Sequence, residues 1–351
     1  MPSVTLRIAL WTVDTGGYSL DNRRDPYPKI KGDLSHRIAV LTKTVEYARS
    51  VLQSQASKGL TLDVFVAPEH LFMRDEGELE LKDMLRVETV ATGLSKGLLL
   101  IPGTVHWRKP LNALLDDLGE NEEKRKRREM KTMSESYEPD RTVKLLGEVS
   151  GYEEMEKKLL LGLGRDKRFS ESIAEEVAQT LREKWEKLRE AARMGKHAYV
   201  VRNTAYVFYD GSRLLKYHKR DASGTTGETS QAKDFLLEFA PGSRSGTFTL
   251  ALDRIQLRCG IEICADHGTT DPGLLSLLEG GSLDLHFIVS NHVSSSNKKH
   301  YAVRGGGLVV HASSHPGYTG VYLAGGEKVE PVVREKIDPG SLFFYTCSLS
   351  I

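Results

Sequence analysis

The chain has 351 residues, 39% of them hydrophobic, enough to bury a large core as one domain or two. Its 49 Lys and Arg offset 48 Asp and Glu, so bulk electrostatics give no ground for a nucleic-acid or anionic-membrane partner. Three cysteines (Cys259, Cys264, Cys347) are too few for a disulfide framework, and no run approaches the roughly 18 apolar residues of a membrane span.

The opening MPSVTLRIALWTVDTGG carries one Arg inside a short apolar run and no basic region before it. It reads as a first strand rather than a signal peptide, so the expectation is a cytoplasmic protein of a reducing compartment. Leu34, Ile38, Leu41, Val45, Ala48 and Leu52 follow at helical spacing, with Asp33 as candidate N-cap and Gly59 as the stop. Val64–Ala67 is a short buried strand ended by Pro68, and Leu98–Ile101 repeats the pattern before Pro102-Gly103. Strand, helix, strand, helix, strand predicts an α/β layered fold.

Between 111 and 196 the character changes, with 39 of 86 residues charged. Ile173, Val177, Leu181, Trp185, Leu188 and Ala192 form an apolar stripe, with a capping box at Ser172 and Glu175 and a stop at Gly195. The segment reads as a helical insertion, a lid or interaction element, between 1–110 and 197–351. Its basic run Lys124–Arg128 is flanked by Glu120, Glu122, Glu123 and Glu129 and reads as a solvated face. Strands return at Tyr199–Tyr209, Arg213–Lys219, Ile255–Cys264, Asp284–Ser290 and Gly307–Ala312, the first two joined by the hairpin signal Asp210-Gly211.

Three polar residues stand at or near strand ends: Glu69 after VFVAP, Lys219 after RLLKYH, and Cys264 after IQLRCGIEI. A cysteine is a strong nucleophile once deprotonated, a carboxylate can take its proton, and a lysine can neutralise an anion forming on the attacked group. Each also has a plain reading, as a surface turn residue, a solvated edge lysine and a small core residue. Sequence separation alone does not bring them together.

The ordered motifs resemble those of the nitrilase, or carbon–nitrogen hydrolase, superfamily. APEH (67–70) resembles the segment of the catalytic glutamate, Glu69. IPGTVHW (101–107) resembles the next strand and turn. NTAYVFYDGSRLLKYHKRD (203–221) resembles the hairpin ending in the catalytic lysine, where Tyr217-x-Lys219 selects Lys219 over Lys216. FAPGSRSGTFTLALDRIQLRCGIEICAD (239–266) resembles the run ending in the nucleophile, Cys264. SLDLHFIVSN (282–291) and GGLVVHASSHPGYTG (306–320) resemble later core strands.

The resemblance implies a nitrilase-like α-β-β-α sandwich and thioester chemistry on an amide, more readily than on a nitrile. It also implies a homodimer or larger homo-oligomer and no metal or organic cofactor. A second, substrate-positioning glutamate is expected at Glu228, with Glu238 as the alternative, and substrate contact at Ala265, His267 and His292. The chain departs from the family in Ala265-Asp266-His267 after the nucleophile, in the insertion, and in Gly305–Gly307, where a helix is expected to be shortened or rebuilt. Four alternatives stay open: an inactive binding or scaffold protein, an acyltransferase, a Cys–His hydrolase, and a glutaminase-type amidotransferase, since GIEICAD slightly resembles the glutamine-hydrolysing domains of NAD synthetases.

Overall fold

A computed structural model describes residues 3–15, 30, 32–55, 59–73, 79–110, 197–220, 230–231, 235–239, 246–268, 274–294 and 297–351. The insertion 111–196 and Glu228 lie outside them, and the side chain of Glu238 is not described. The chain runs β1 (Ser3–Thr12), α1 (Leu34–Ser54), β2 (Thr61–Val66), β3 (Leu79–Glu80), α2 (Leu81–Leu94), β4 (Leu99–Ile101) and β5 (Thr104–Pro110). It continues with β6 (His197–Tyr209), β7 (Ser212–His218), β8 (Ser230–Gln231), β9 (Phe235–Phe239), β10 (Thr247–Leu252) and β11 (Ile255–Ile263). Next come α3 (Ala265–Gly268), α4 (Leu274–Glu279), β12 (Leu283–Ser290), β13 (Val303–Ser313), β14 (Gly320–Leu323), β15 (Lys328–Val329), β16 (Val333–Lys336) and β17 (Ser341–Ser350).

Two compact units divide the chain: 1–107, 202–226 and 241–351 form the first, 108–201 and 227–240 the second. In the second, His197–Val201 pair in parallel with β9, which pairs antiparallel with β8. The first unit holds two sheets. One runs β16-β17-β1-β2-β4-β6, with β7 also on β6; the other runs β10-β11-β12-β13-β14-β15.

Period-two alternation explains how the sheets stack. Leu6, Ile8 and Leu10 of β1, Val64 and Val66 of β2 and Ile101 of β4 share one core with Leu257, Ile261 and Ile263 of β11, Phe287 and Val289 of β12 and Val310 of β13. The outer face of the first sheet is covered by α1, which packs on β1 and β2 and beside α2; α3 and α4 pack against β11. The order of layers is helix, sheet, sheet, helix, as expected for the fold class.

Local signals account for most boundaries. The Asp33 carboxylate accepts from the His36 N–H at 2.8 Å and caps α1. The helix stops at Ser54, before Gly59, and its stripe includes two polar residues, Arg37 and Thr44. Arg37 is buried because its guanidinium donates to the carbonyls of Thr15, Ile30 and Leu71 at 3.0–3.3 Å. Asp210 and Gly211 both take positive φ, +46° and +77°, and close the β6–β7 hairpin. Gly305–Gly307 are rebuilt as strand β13 rather than helix. At Gly307 a Cβ would meet Val303 Cβ at 2.9 Å and the carbonyl oxygens of Leu283 and Asp284 at 3.0 Å, so a side chain there would force its neighbours to shift.

Candidate functional site

Four strand ends of the first unit converge. Glu69 follows β2 by three residues, Lys219 follows β7, Cys264 follows β11 and Asn291 follows β12. Register places them: the Lys219 N–H bonds the Asn203 carbonyl, and the Cys264 N–H bonds the Val289 carbonyl, both at 2.9 Å.

The Glu69 carboxylate is the hub. Its Oε1 accepts from Lys219 Nζ at 3.1 Å and from Asn203 Nδ2 at 2.8 Å, and its Oε2 accepts from the Asn291 N–H at 3.0 Å. The Cys264 thiol is near enough to this carboxylate and to the Asn291 N–H for both to act on its proton affinity. Glu69, Lys219 and Asn203 are fully buried, and Cys264 keeps 7% exposure.

Burial raises the proton affinity of Glu69, but the Lys219 charge, His70 and the bonds from Cys264 and Lys219 outweigh it and hold the carboxyl at about 2. Burial and the Glu69 charge push the Cys264 thiol up, against the pull of Lys219 and the Asn291 N–H. The resting arrangement is therefore carboxylate, ammonium and neutral thiol.

Of the two lysines near the hairpin end, Lys219 meets Glu69. Lys216 lies 5.8 Å from the Trp107 ring and 5.9 Å from the Tyr206 ring, where burial pushes it down to about 7. Ala265 is buried at the start of α3. His292 is exposed, its ring 6.0 Å from that of His315, which lies 4.7 Å from Tyr318. His267 is fully buried with its Nδ1 2.7 Å from Glu262.

Sequence reasoning missed several contacts. Asn203 and Asn291, which hold both oxygens of Glu69, begin and end two of the quoted motifs, but nothing in those motifs gave them a role. Asp266 accepts from the Tyr217 hydroxyl at 2.7 Å and from the Arg220 N–H at 3.0 Å, tying the cysteine turn to the lysine turn. His70 adopts φ +60°, places Nε2 3.5 Å from Glu69 Oε1 and sets its ring edge-on to His106. Burial and the neighbouring His70 and Lys219 push His106 down to about 3, which keeps that ring neutral.

A second buried carboxylate, Glu262, accepts from His267 Nδ1 at 2.7 Å, His286 Nε2 at 3.0 Å and the Leu275 N–H at 2.6 Å. The ligand atoms of Glu262, His267 and His286 lie within 4.8 Å of one another, a grouping that suits a metal ion. The hydrogen bonds favour another state. The Ala302 N–H donates to His286 Nδ1 at 3.3 Å, so the neutral ring carries its proton on Nε2 and turns it to Glu262. Among the described residues, no helix is long and apolar enough to cross a membrane.

No protein-family model matches the sequence, and neither does any curated protein. Similar solved structures exist. An amidase of the nitrilase superfamily from Nesterenkonia AN1 is 10% identical over 97% of this chain and 90% of that one, with a TM-score of 0.44. A glutamine-dependent NAD+ synthetase from Acinetobacter baumannii is 10% identical over 97% of this chain and 45% of that one, TM-score 0.46. The C. elegans NitFhit protein is 12% identical over 99% and 61%, TM-score 0.40. At these scores the chemistry rests on the side chains themselves.

Proposed function

We propose that this chain is a divergent nitrilase-superfamily enzyme that hydrolyses a non-peptide carbon–nitrogen bond, an amide in preference to a nitrile. One observation carries the reading: a single buried carboxylate, Glu69, pairs with the Lys219 ammonium at 3.1 Å and lies close enough to the Cys264 thiol for each to shift the other's proton affinity.

In the resting site the proton belongs on sulfur. A substrate carbonyl entering beside Lys219 draws the ammonium toward its oxygen, and Glu69, losing that partner, becomes the stronger base. The thiol proton passes to Glu69, and sulfur attacks the carbonyl carbon. The anion forming on oxygen is met by Lys219. Glu69 returns the proton to the departing nitrogen, the C–N bond breaks and a thioester remains. Water then gives a proton to Glu69 and attacks the thioester; the acid leaves and the proton returns to sulfur. These steps need neither a metal nor an organic cofactor. Ala265 and His292 are assigned to the substrate side, and the enzyme is taken to work in the cytoplasm as a homo-oligomer.

The test is alkylation of each cysteine against pH, followed by mass spectrometry, in the unaltered protein, Glu69→Gln and Lys219→Ala. Cys264 should react faster than Cys259 and Cys347, and both variants should change its rate. A panel of primary amides screened for ammonia release then gives the substrate. A Cys264 as inert as Cys259 and indifferent to both substitutions overturns the reading and leaves a scaffold.

A further inference from the structure

Cys264 has φ +47°, in the left-handed region that non-glycine residues enter only when their surroundings hold them there. The upstream side is held by the β11–β12 ladder, which runs from Cys259–Leu285 to Ile263–Val289. The downstream side is α3, four residues long, and a single helical turn does not hold itself. Its closing bond, from the His267 N–H to the Cys264 carbonyl at 2.9 Å, depends on where His267 sits.

We propose that Glu262 and His267 are positioning residues that lock the turn at Cys264, keeping its sulfur against Glu69 and the Asn291 N–H; this rests on the reading of Cys264 as nucleophile. The two bracket the cysteine, two residues before it and three after, and their 2.7 Å bond closes the bracket across the turn. The bracket is anchored on three further segments through the same carboxylate. Leu275 ties it to α4, His286 ties it to β12, and the Ala302 N–H on His286 ties it to the approach to β13. His267 is wedged edge-on against His286 and His300, with ring centroids 5.5 and 5.3 Å away. On the opposite side of the turn, Asp266 grips Tyr217 and the Arg220 N–H. The segment Glu262-Ile-Cys-Ala-Asp266 is thus held on both sides by buried carboxylates.

A buried carboxylate is a costly way to fill space. Packed apolar side chains of similar volume are commonly as stable, so what the charged cluster adds here is a fixed position. That separates positioning from stability in an experiment.

The full chain is prepared unaltered, as Glu262→Gln, and as Glu262→Leu/His267→Leu. Iodoacetamide labelling of Cys264, Cys259 and Cys347 is followed against pH, beside the thermal midpoint. In the double variant Cys264 should label about tenfold more slowly at a given pH, because the sulfur no longer faces Glu69, the base that takes its proton. Cys259 and Cys347 should label as before, Glu262→Gln should recover part of the rate, and the midpoint should not follow the loss. Unchanged Cys264 labelling in both variants, or a loss mirrored by faster labelling of Cys259 and a falling midpoint, overturns the positioning role. A reactive Cys264 that ignores the variants leaves the nucleophile reading standing. An inert Cys264 in the unaltered protein overturns both.

Discussion

Replacing Glu69 by Gln should make the protein less stable at neutral pH yet less sensitive to acid. The amide keeps the shape but leaves the Lys219 ammonium buried without its counter-charge, a loss of about 3–5 kcal/mol for a broken buried pair. The acid effect follows from linkage. The Glu69 carboxyl is held at about 2 in the folded protein against 4.5 as the ordinary value. A depressed carboxyl contributes stability that is fully present above its unfolded value and lost as pH falls toward its folded one. The difference of 4.5 − 2 = 2.5 units corresponds to about 3 kcal/mol, of which about 2 kcal/mol has gone by about pH 3. Urea unfolding at pH 6 and pH 3 reads this directly. Between those points Glu69→Gln should lose about 2 kcal/mol less stability than the unaltered protein. Equal losses would refute the reasoning, since the Glu69 charge would then not be what Lys219 and Cys264 stabilise. Glu262, also held at about 2 by its histidine bonds against the pull of burial, is the internal control: Glu262→Gln should remove a share of similar size.

Three further expectations can be checked alongside. Lys216→Met should leave Cys264 labelling unchanged, and should abolish the rise in stability between about pH 7 and 10.5 that a lysine pushed down by burial contributes in the folded protein. Asn203→Leu removes a 2.8 Å donor from Glu69 and should cost about 1–3 kcal/mol in chemical denaturation while altering the Cys264 labelling rate. Gly307→Val should cost about 1–3 kcal/mol or more by the same assay, because its side chain would press on the Leu283 and Asp284 carbonyls.

Much of the layering was legible because one-sided burial leaves a period. Residues 4–13 read as an alternating strand and 34–52 repeat at helical spacing; Leu6, Ile8 and Leu10 became the inner face of β1, whose second half is buried on both faces, and the repeat became the buried face of α1. Asp210-Gly211 was legible because a tight hairpin needs positive φ at both positions. What the chain hides is tertiary. Arg37 and Thr44 look like solvent residues, and only the carbonyls gathered around Arg37 make its burial affordable. Glu262 in an apolar strand reads as a solvent-facing position. The one-turn α3 with its His267, the short α4 and His286 of β12 cover it, and no local pattern announces that. Within the site, the motifs single out Glu69, Lys219 and Cys264, whereas Asn203 and Asn291 stand at the ends of two motifs with nothing local to mark them as donors to Glu69.

The pairing of β1 with β17 runs for ten residues, from Ser3–Ser350 to Thr12–Ser341, and joins segments more than 300 residues apart. On a ribosome, β1 emerges before β2 and can pair early with it, but its other edge waits for β17. That open ladder is a template for any extended neighbour until β17 arrives. Closure of so distant a pairing is entropically slow. Refolding should therefore be limited by the arrival of β17, and the interval before it is when crowded chains are most prone to join edge to edge.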